Sequence, residues 1–164
     1  MKKDIPEMKL LLAGDGDMEA EYQTLAKNLG VEGEIEFLGF RNDIPALMQI
    51  TDAAISSSRQ EGLPVNIMEA MGTGLPIIAT DCRGNRDLIK NGENGLLIGI
   101  NDVDACAEAI KKLYDSKALR QRIGERNKRV INNYSIGQVL SEMKEIYADF
   151  HLLMEEEARI AGKG

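Results

Sequence analysis

Tryptophan is absent from this 164-residue chain, histidine occurs once, and cysteine only twice. A lone His151 and two cysteines, Cys82 and Cys106, with no CxxC spacing, exclude a disulfide scaffold and a zinc site of the usual ligands. No apolar run exceeds about six residues, far short of the roughly 20 that cross a bilayer, so no membrane span is expected. The short apolar stretch near the N-terminus is cut by Gly14 and Asp15, which argues against a signal peptide and for a cytoplasmic protein. Basic residues are outnumbered 20 to 27, giving a net charge of −7, and no Lys/Arg cluster stands out. A nucleic-acid groove needs a basic stripe, so that class is set aside. Neither a GxGxxG nor a GxxxxGK[ST] pattern occurs, which removes dinucleotide and P-loop sites.

What is present is a globular composition, 43% hydrophobic and 29% charged, with a length that suits one domain over residues 1–164. Apolar runs at Met8–Ala13, Ile35–Gly39, Ala53–Ser57, Ile77–Thr80 and Gly95–Ile98 mostly lack polar alternation, as parallel strands covered on both faces do. Helical patterns lie between them at about 17–29, 43–49, 65–73, 84–90 and 102–113. Asp102 is the expected N-cap of the last, with Ala105, Ala109 and Leu113 on one stripe. This alternation predicts an α/β fold with a doubly wound parallel sheet within 8–100 and helices over 102–161.

Beyond Ser116, which is placed to cap a helix running to about Asn133, a second helix restarts at Tyr134-Ser135. Ile136, Leu140, Met143, Tyr147, Phe150 and Met154 follow spacings of 4, 3, 4, 3 and 4. That heptad seam is expected to pack back on the domain's own sheet; the sharper reading gives it to a missing partner domain or a second copy. The methionines are expected to fill core gaps, with Met143 and Met154 on the seam.

In open α/β sheets ligands bind beyond the carboxyl ends of the strands. The turn after the third run is the most informative, reading Ser58-Arg59-Gln60-Glu61-Gly62-Leu63-Pro64-Val65-Asn66-Ile67-Met68-Glu69. Pro64 suits the start of a helix, and Leu63, Val65 and Asn66 then present free amides, an anion site. Glu61 lies before the helix start and Glu69 one turn inside it. A carboxylate repels a phosphate, so the pair makes sense as acceptors for hydroxyl groups. The bland alternative is a solvated loop charge and a helix-surface charge. Cys82 has no neighbouring histidine and reads as a buried thiol, and His151 has no nucleophile beside it.

These residues carry a resemblance. LLLAGDG, IEFLGF, EGLPVNIMEAMGTGLPIIAT and GN followed by LIKNGENGLLI occur in the order found in the C-terminal domain of GT-B retaining glycosyltransferases, most closely glycosyl transferases group 1, or family 4. The resemblance runs from Met8 to about Phe150. It implies a Rossmann-like donor-binding domain of a hexosyltransferase that moves a sugar from a nucleotide diphosphate to an unknown acceptor with retention. It also assigns Glu61 to the sugar hydroxyls as the catalytic-site carboxylate and Glu69 to the ribose. Gly62, Leu63, Pro64, Val65 and Asn66 are implied to line the donor site, the amides of Leu63, Val65 and Asn66 holding the diphosphate or sugar, with Gly14 and Gly16 also in that site and Phe40 and Arg41 bordering the base. No metal or other cofactor is implied, and the donor is expected to be a UDP-sugar.

The family domain begins with an earlier strand and helix carrying an Arg and a Lys for the diphosphate. Here Lys2-Lys3-Asp4-Ile5-Pro6-Glu7 resembles the end of that helix, which leaves Arg59, Arg83 and Arg86 as candidate cations. Without an acceptor domain the chain is expected to be inactive alone. The family's strand order without its first strand becomes 2-1-3-4-5, with residues 9–13 pairing directly with 52–57; the alternative is an open gap there, which exposes unpaired central-strand amides and invites strand exchange between chains. The alternative function is a degenerate, non-catalytic nucleotide-binding or interaction module; an epimerase of similar architecture lacks its catalytic histidine here.

Overall fold

Five parallel strands and seven helices alternate through residues 3–161, the residues that the computed structural model describes, with side chains described to residue 154. In chain order they are β1 (Leu10–Ala13), α1 (Glu19–Asn28), β2 (Ile35–Gly39), α2 (Ile44–Gln49), β3 (Ala54–Ser56) and α3 (Val65–Thr73). There follow β4 (Ile77–Thr80), α4 (Asn85–Leu88), β5 (Leu96–Ile98), α5 (Val103–Asp115), α6 (Lys117–Ile131) and α7 (Ile136–Ala161). The caps explain several boundaries. The Asp102 carboxylate accepts from the Ala105 amide at 2.9 Å, and the Ser116 hydroxyl accepts from Leu119 at 3.1 Å. Ser135 does the same for α7 through the Gln138 amide at 3.3 Å.

The core is built around β4, whose four residues are all buried. Its alternation sends Ile77 and Ala79 to one face, with Ile67, Ala70 and Met71 of α3 and Leu88 of α4. Ile78 meets Ala109 and Leu113 of α5 and Ile123 of α6 on the other. Both faces of this ladder are therefore covered, as the apolar runs predict. The β1–β2 pair differs, because α1 buries only Ala26 and leaves Tyr22, Leu25 and Leu29 exposed.

The α/β fold with parallel strands is as expected, but the single closed sheet is not. β1 pairs only with β2, and β3, β4 and β5 form a separate ladder in the order 3-4-5. No ladder joins residues 9–13 to 52–57 among the described residues, and Leu10 and Ile55 on the facing strands stay exposed. The physical reason lies in the helices. The segment before β1 is tied to α5, where the Tyr114 hydroxyl donates to Glu7 at 2.6 Å, and Met48 of α2, after β2, packs on the α3 cluster. Those contacts set the position of the β1–β2 pair, and a ladder forms only where strands come within about 4.8 Å of each other.

The seam of α7 also departs from the expectation that it packs back on the sheet. Every residue from Asn132 to Met154 is exposed, including Leu140, Met143, Tyr147 and Phe150. Helices α3 and α4 on one face and α5 and α6 on the other have already taken the sheet's surfaces. The methionine expectation holds only in part: Met71 is fully buried, whereas Met18, Met143 and Met154 are exposed. Cys82 is buried as expected. Burial raises the pKa of the Cys106 thiol, which keeps it protonated and unreactive at neutral pH.

The Tyr114–Glu7 contact gives a first expected result. The tyrosine hydroxyl, by hydrogen bonding, holds the Glu7 carboxyl below its ordinary value, and Glu7 in turn holds Tyr114 above its own. A carboxylate with a depressed folded pKa stabilises above its unfolded pKa, and that contribution is lost as pH falls through the folded value. A tyrosine with a raised folded pKa stabilises below its unfolded pKa and loses that contribution in alkali. The tie is therefore strongest between those limits. Carbon-13 NMR titration of Glu7 should show its carboxyl returning to the ordinary range in Tyr114→Phe. An unchanged titration would mean that this hydrogen bond does not form in solution.

Candidate functional site

The loop from Ser57 to Leu63 leaves β3 and enters α3, and it places the two carboxylates singled out above. Helix α3 starts after Pro64, whose carbonyl accepts the first helical bonds from Ile67 and Met68, both at 3.1 Å. The amides of Val65 and Asn66 precede those bonds and have no backbone partner among the described residues, and Pro64 at the N-cap supplies no side-chain cap. They are left free because Pro64 begins the helix in extended geometry, with φ −76° and ψ 94°. The buried side of α3 is Ile67, Ala70 and Met71, so Val65, Asn66 and Glu69 share its exposed side. Pro64 is buried beneath them, and Gly62 and Leu63 are exposed. Glu61 on the loop is half-buried. The Asn66 side chain accepts from the Ile67 amide at 2.9 Å.

The loop does not hold itself. The Thr80 hydroxyl, at the end of β4, donates to the Ser58 carbonyl. Gly84, in the turn after β4, has φ +80°, and a Cβ there would lie 2.7 Å from the Glu61 carbonyl oxygen and 2.8 Å from that of Gly62. Only glycine permits that approach. Asn85 then donates from Nδ2 to the Thr80 carbonyl at 2.9 Å and to Thr80 Oγ1 at 3.3 Å. The turn 81–85 is adjacent to the site by sequence position, but the supporting roles of Thr80, Gly84 and Asn85 carry no local signal beyond a glycine after a strand.

Gly14, Gly16, Phe40 and Arg41 gather at the carboxyl ends of β1 and β2, where the Gly14 amide donates to the Gly39 carbonyl at 2.8 Å. Phe40 is 75% exposed, a ring face open to stacking. Arg41 is not a free cation: it grips Asp43 through Nε at 2.7 Å and Nη2 at 2.5 Å, and holds that carboxyl below the usual range. The β1–β2 group and the β3–β4 group share no hydrogen bond or ion pair among the described residues. Of the candidate cations, Arg86 pairs with Asp81 at 3.2 Å, whereas Arg59 and Arg83 are exposed with no ion pair within 4 Å in the described residues.

Two further features lie outside this site. The expectation of no basic cluster needs amending, because Arg122, Arg126 and Arg129 line a shallow cavity on α6 with Glu93 and Glu125. They are engaged there by the Gly92 carbonyl, Glu93 and Glu125 respectively. No group of three or more His, Cys, Asp or Glu side chains among the described residues is placed to hold a metal ion, and no helix there is long and apolar enough to cross a membrane.

Comparison with known proteins gives one family. The profile of the glycosyl transferases group 1 family matches residues 1–130. EpsD of Bacillus subtilis (strain 168), which bears a glycosyltransferase name, is 41% identical over 150 residues, covering 92% of this chain and 39% of that protein. An Escherichia coli enzyme named UDP-Gal:alpha-D-GlcNAc-diphosphoundecaprenol alpha-1,3-galactosyltransferase is 33% identical, covering 88% of this chain and 38% of its own length. Among solved structures, HepE of Anabaena in complex with UDP matches with a TM-score of 0.83 at 26% identity, over 88% of this chain and 42% of that one. The chain thus spans about two-fifths of the relatives that it matches.

Proposed function

Because the chain belongs to the glycosyl transferases group 1 family, we propose that it is the donor-binding domain of a retaining glycosyltransferase of the family 4 type, taking a nucleotide-sugar. The observation that carries this reading is the exposed N-terminus of α3. Two amides without backbone partners, Val65 and Asn66, share one helix side with Glu69 and follow directly on the loop of half-buried Glu61. A diphosphate bound at those amides meets backbone donors and the positive end of a nine-residue helix. Glu69, one turn along, accepts the ribose hydroxyls, and Glu61 accepts those of the sugar. UDP is the chosen nucleotide because HepE, the structural relative above, was crystallised with UDP. Phe40 offers its exposed ring to the base, and Gly14 and Gly16 leave room beside it.

Transfer breaks the bond between the anomeric carbon and the diphosphate oxygen, the oxygen of the acceptor hydroxyl bonds to that carbon on the same face, and the hydroxyl proton passes to the departing diphosphate. Negative charge develops on the departing oxygen. Amides fixed at a helix N-terminus stabilise it without reorganising, which is the arrangement that lowers such barriers. Glu61 fixes the sugar while the bond breaks. The residues placed above are all assigned to the donor and none to the acceptor, so by themselves they are expected to bind the donor and transfer nothing.

Calorimetric or NMR titration with UDP, GDP and ADP tests the reading. A helix N-terminus contributes about 1 kcal/mol or less when exposed, so a dissociation constant of ~0.1–10 mM is expected. A micromolar constant would mean that Arg59 or Arg83 has taken the phosphate. Glu69→Ala removes charge-assisted hydrogen bonds of about 1.5–3 kcal/mol and should weaken UDP about tenfold or more. Equal binding by that variant removes the ribose role and leaves the family's fold in a non-catalytic interaction module.

A further inference from the structure

We propose that Asn85 is a positioning residue for the loop that carries Glu61, acting through Thr80; the proposal rests on the donor-site reading above. Thr80 is 3% exposed and Asn85 is fully buried, so neither meets solvent. The Thr80 hydroxyl has a single proton, and of its two acceptors the Ser58 carbonyl is much nearer than the Cys82 sulfur at 4.0 Å, so the proton goes to Ser58. Its lone pairs are then what Asn85 Nδ2 reaches at 3.3 Å, while the same amide group donates to the Thr80 carbonyl at 2.9 Å. The bonds run in one direction, from Asn85 to Thr80 to the loop, and each donor depends on the one before it.

The neighbouring residue makes the same turn a template for the loop's other end. Gly84 sits directly against the Glu61 and Gly62 carbonyls, at a spacing that no side chain allows. The loop is therefore held at Ser58 by a hydrogen bond and at Glu61–Gly62 by close contact, and both holds originate in residues 80–85. A packing role alone does not account for the choice of asparagine. Its Oδ1 is buried without a partner, a cost that an apolar side chain of similar size avoids. The amide N–H pair is what the position needs. Asparagine supplies it next to a glycine whose backbone must stay in place.

The test uses Asn85→Asp, which keeps the shape and loses the donor, and Thr80→Val, which keeps the volume and loses the hydroxyl. Titration with UDP-galactose beside UDP alone, amide NMR shifts of residues 57–63 and melting temperature are read on each, because Glu61 meets only the transferred sugar. Both variants are expected to weaken UDP-galactose about tenfold and UDP alone far less, the change that losing one or two charge-independent hydrogen bonds and loop order brings. The shift changes should centre on 57–63, and Thr80→Ser, which restores the hydroxyl, should return affinity to within about twofold of the unsubstituted chain. A lower melting temperature with unchanged affinity and unchanged loop shifts would show Asn85 to be structural only and overturn the proposal. If Asn85→Asp fails to fold, the Thr80 pair still decides between these outcomes. Failure of the donor-site reading looks different, because UDP then binds the unsubstituted chain no better than Glu69→Ala.

Discussion

Gly124→Ala is expected to lower the stability of the domain by about 2–4 kcal/mol, even though alanine is the better helix former by about 1 kcal/mol. Gly124 lies inside α6, and a Cβ there would sit 2.1 Å from the Gly74 carbonyl oxygen. That approach is closer than any real contact, so α6 must move off the turn between α3 and β4. The move would also strain the buried hydrogen bond from Asn127 Nδ2 to the Leu75 carbonyl, 2.7 Å long, and expose the 0%-accessible Ile123. The clash outweighs the gain in propensity. For a chain of this length each kcal/mol moves the melting temperature by roughly 2–4 °C, so a fall of about 4–16 °C is expected. Gly72, in α3, is the internal control: nothing lies within 4 Å of its Cβ position, and Gly72→Ala should raise stability by about 0.5–1 kcal/mol. Urea unfolding of the two variants side by side separates them. Similar midpoints would show that α6 is not seated on the α3–β4 turn in solution.

The second large effect concerns binding. Gly84→Ala introduces a Cβ between two carbonyl oxygens at 2.7 and 2.8 Å and forces a side chain onto a φ of +80°. The backbone strain alone costs about 1–3 kcal/mol. The loop of Glu61 has no secondary structure of its own and is the softer partner, so it gives way before β4 does. Affinity for UDP-galactose should fall at least about tenfold while the far-ultraviolet circular dichroism stays that of the folded chain. In Gly62→Ala, where nothing lies within 4 Å of the added carbon, the loop should keep its position. Should Gly84→Ala bind UDP-galactose as the unsubstituted chain does, the donor does not sense the placement of Glu61, and the sugar role given to that residue falls with it.

The order and type of elements were legible in the sequence because short-range physics decides them. Helix α5 begins where Asp102 caps it, α6 where Ser116 does, and all five apolar runs became strands at nearly the predicted residues. The spacing of Glu61 and Glu69 around Pro64 likewise fixed a loop carboxylate before a helix start and a second on the helix's exposed side, since both follow from 3.6 residues per turn and a proline that leaves amides free. Only the tertiary structure decided what happens between distant segments. Apolar runs tell which residues form strands and not which strands pair, so the break between β1 and β3 was set by Tyr114, Glu7 and Met48, residues with no local mark of that role. The heptad seam of α7 states that a helix has an apolar side; whether the domain has a free face to receive it depends on α3, α4, α5 and α6 having covered the sheet first. The support of the Glu61 loop by Thr80, Gly84 and Asn85 is of the same kind. It joins residues more than 20 positions apart through one hydroxyl proton and a missing Cβ, quantities that exist only once β3 and β4 lie side by side.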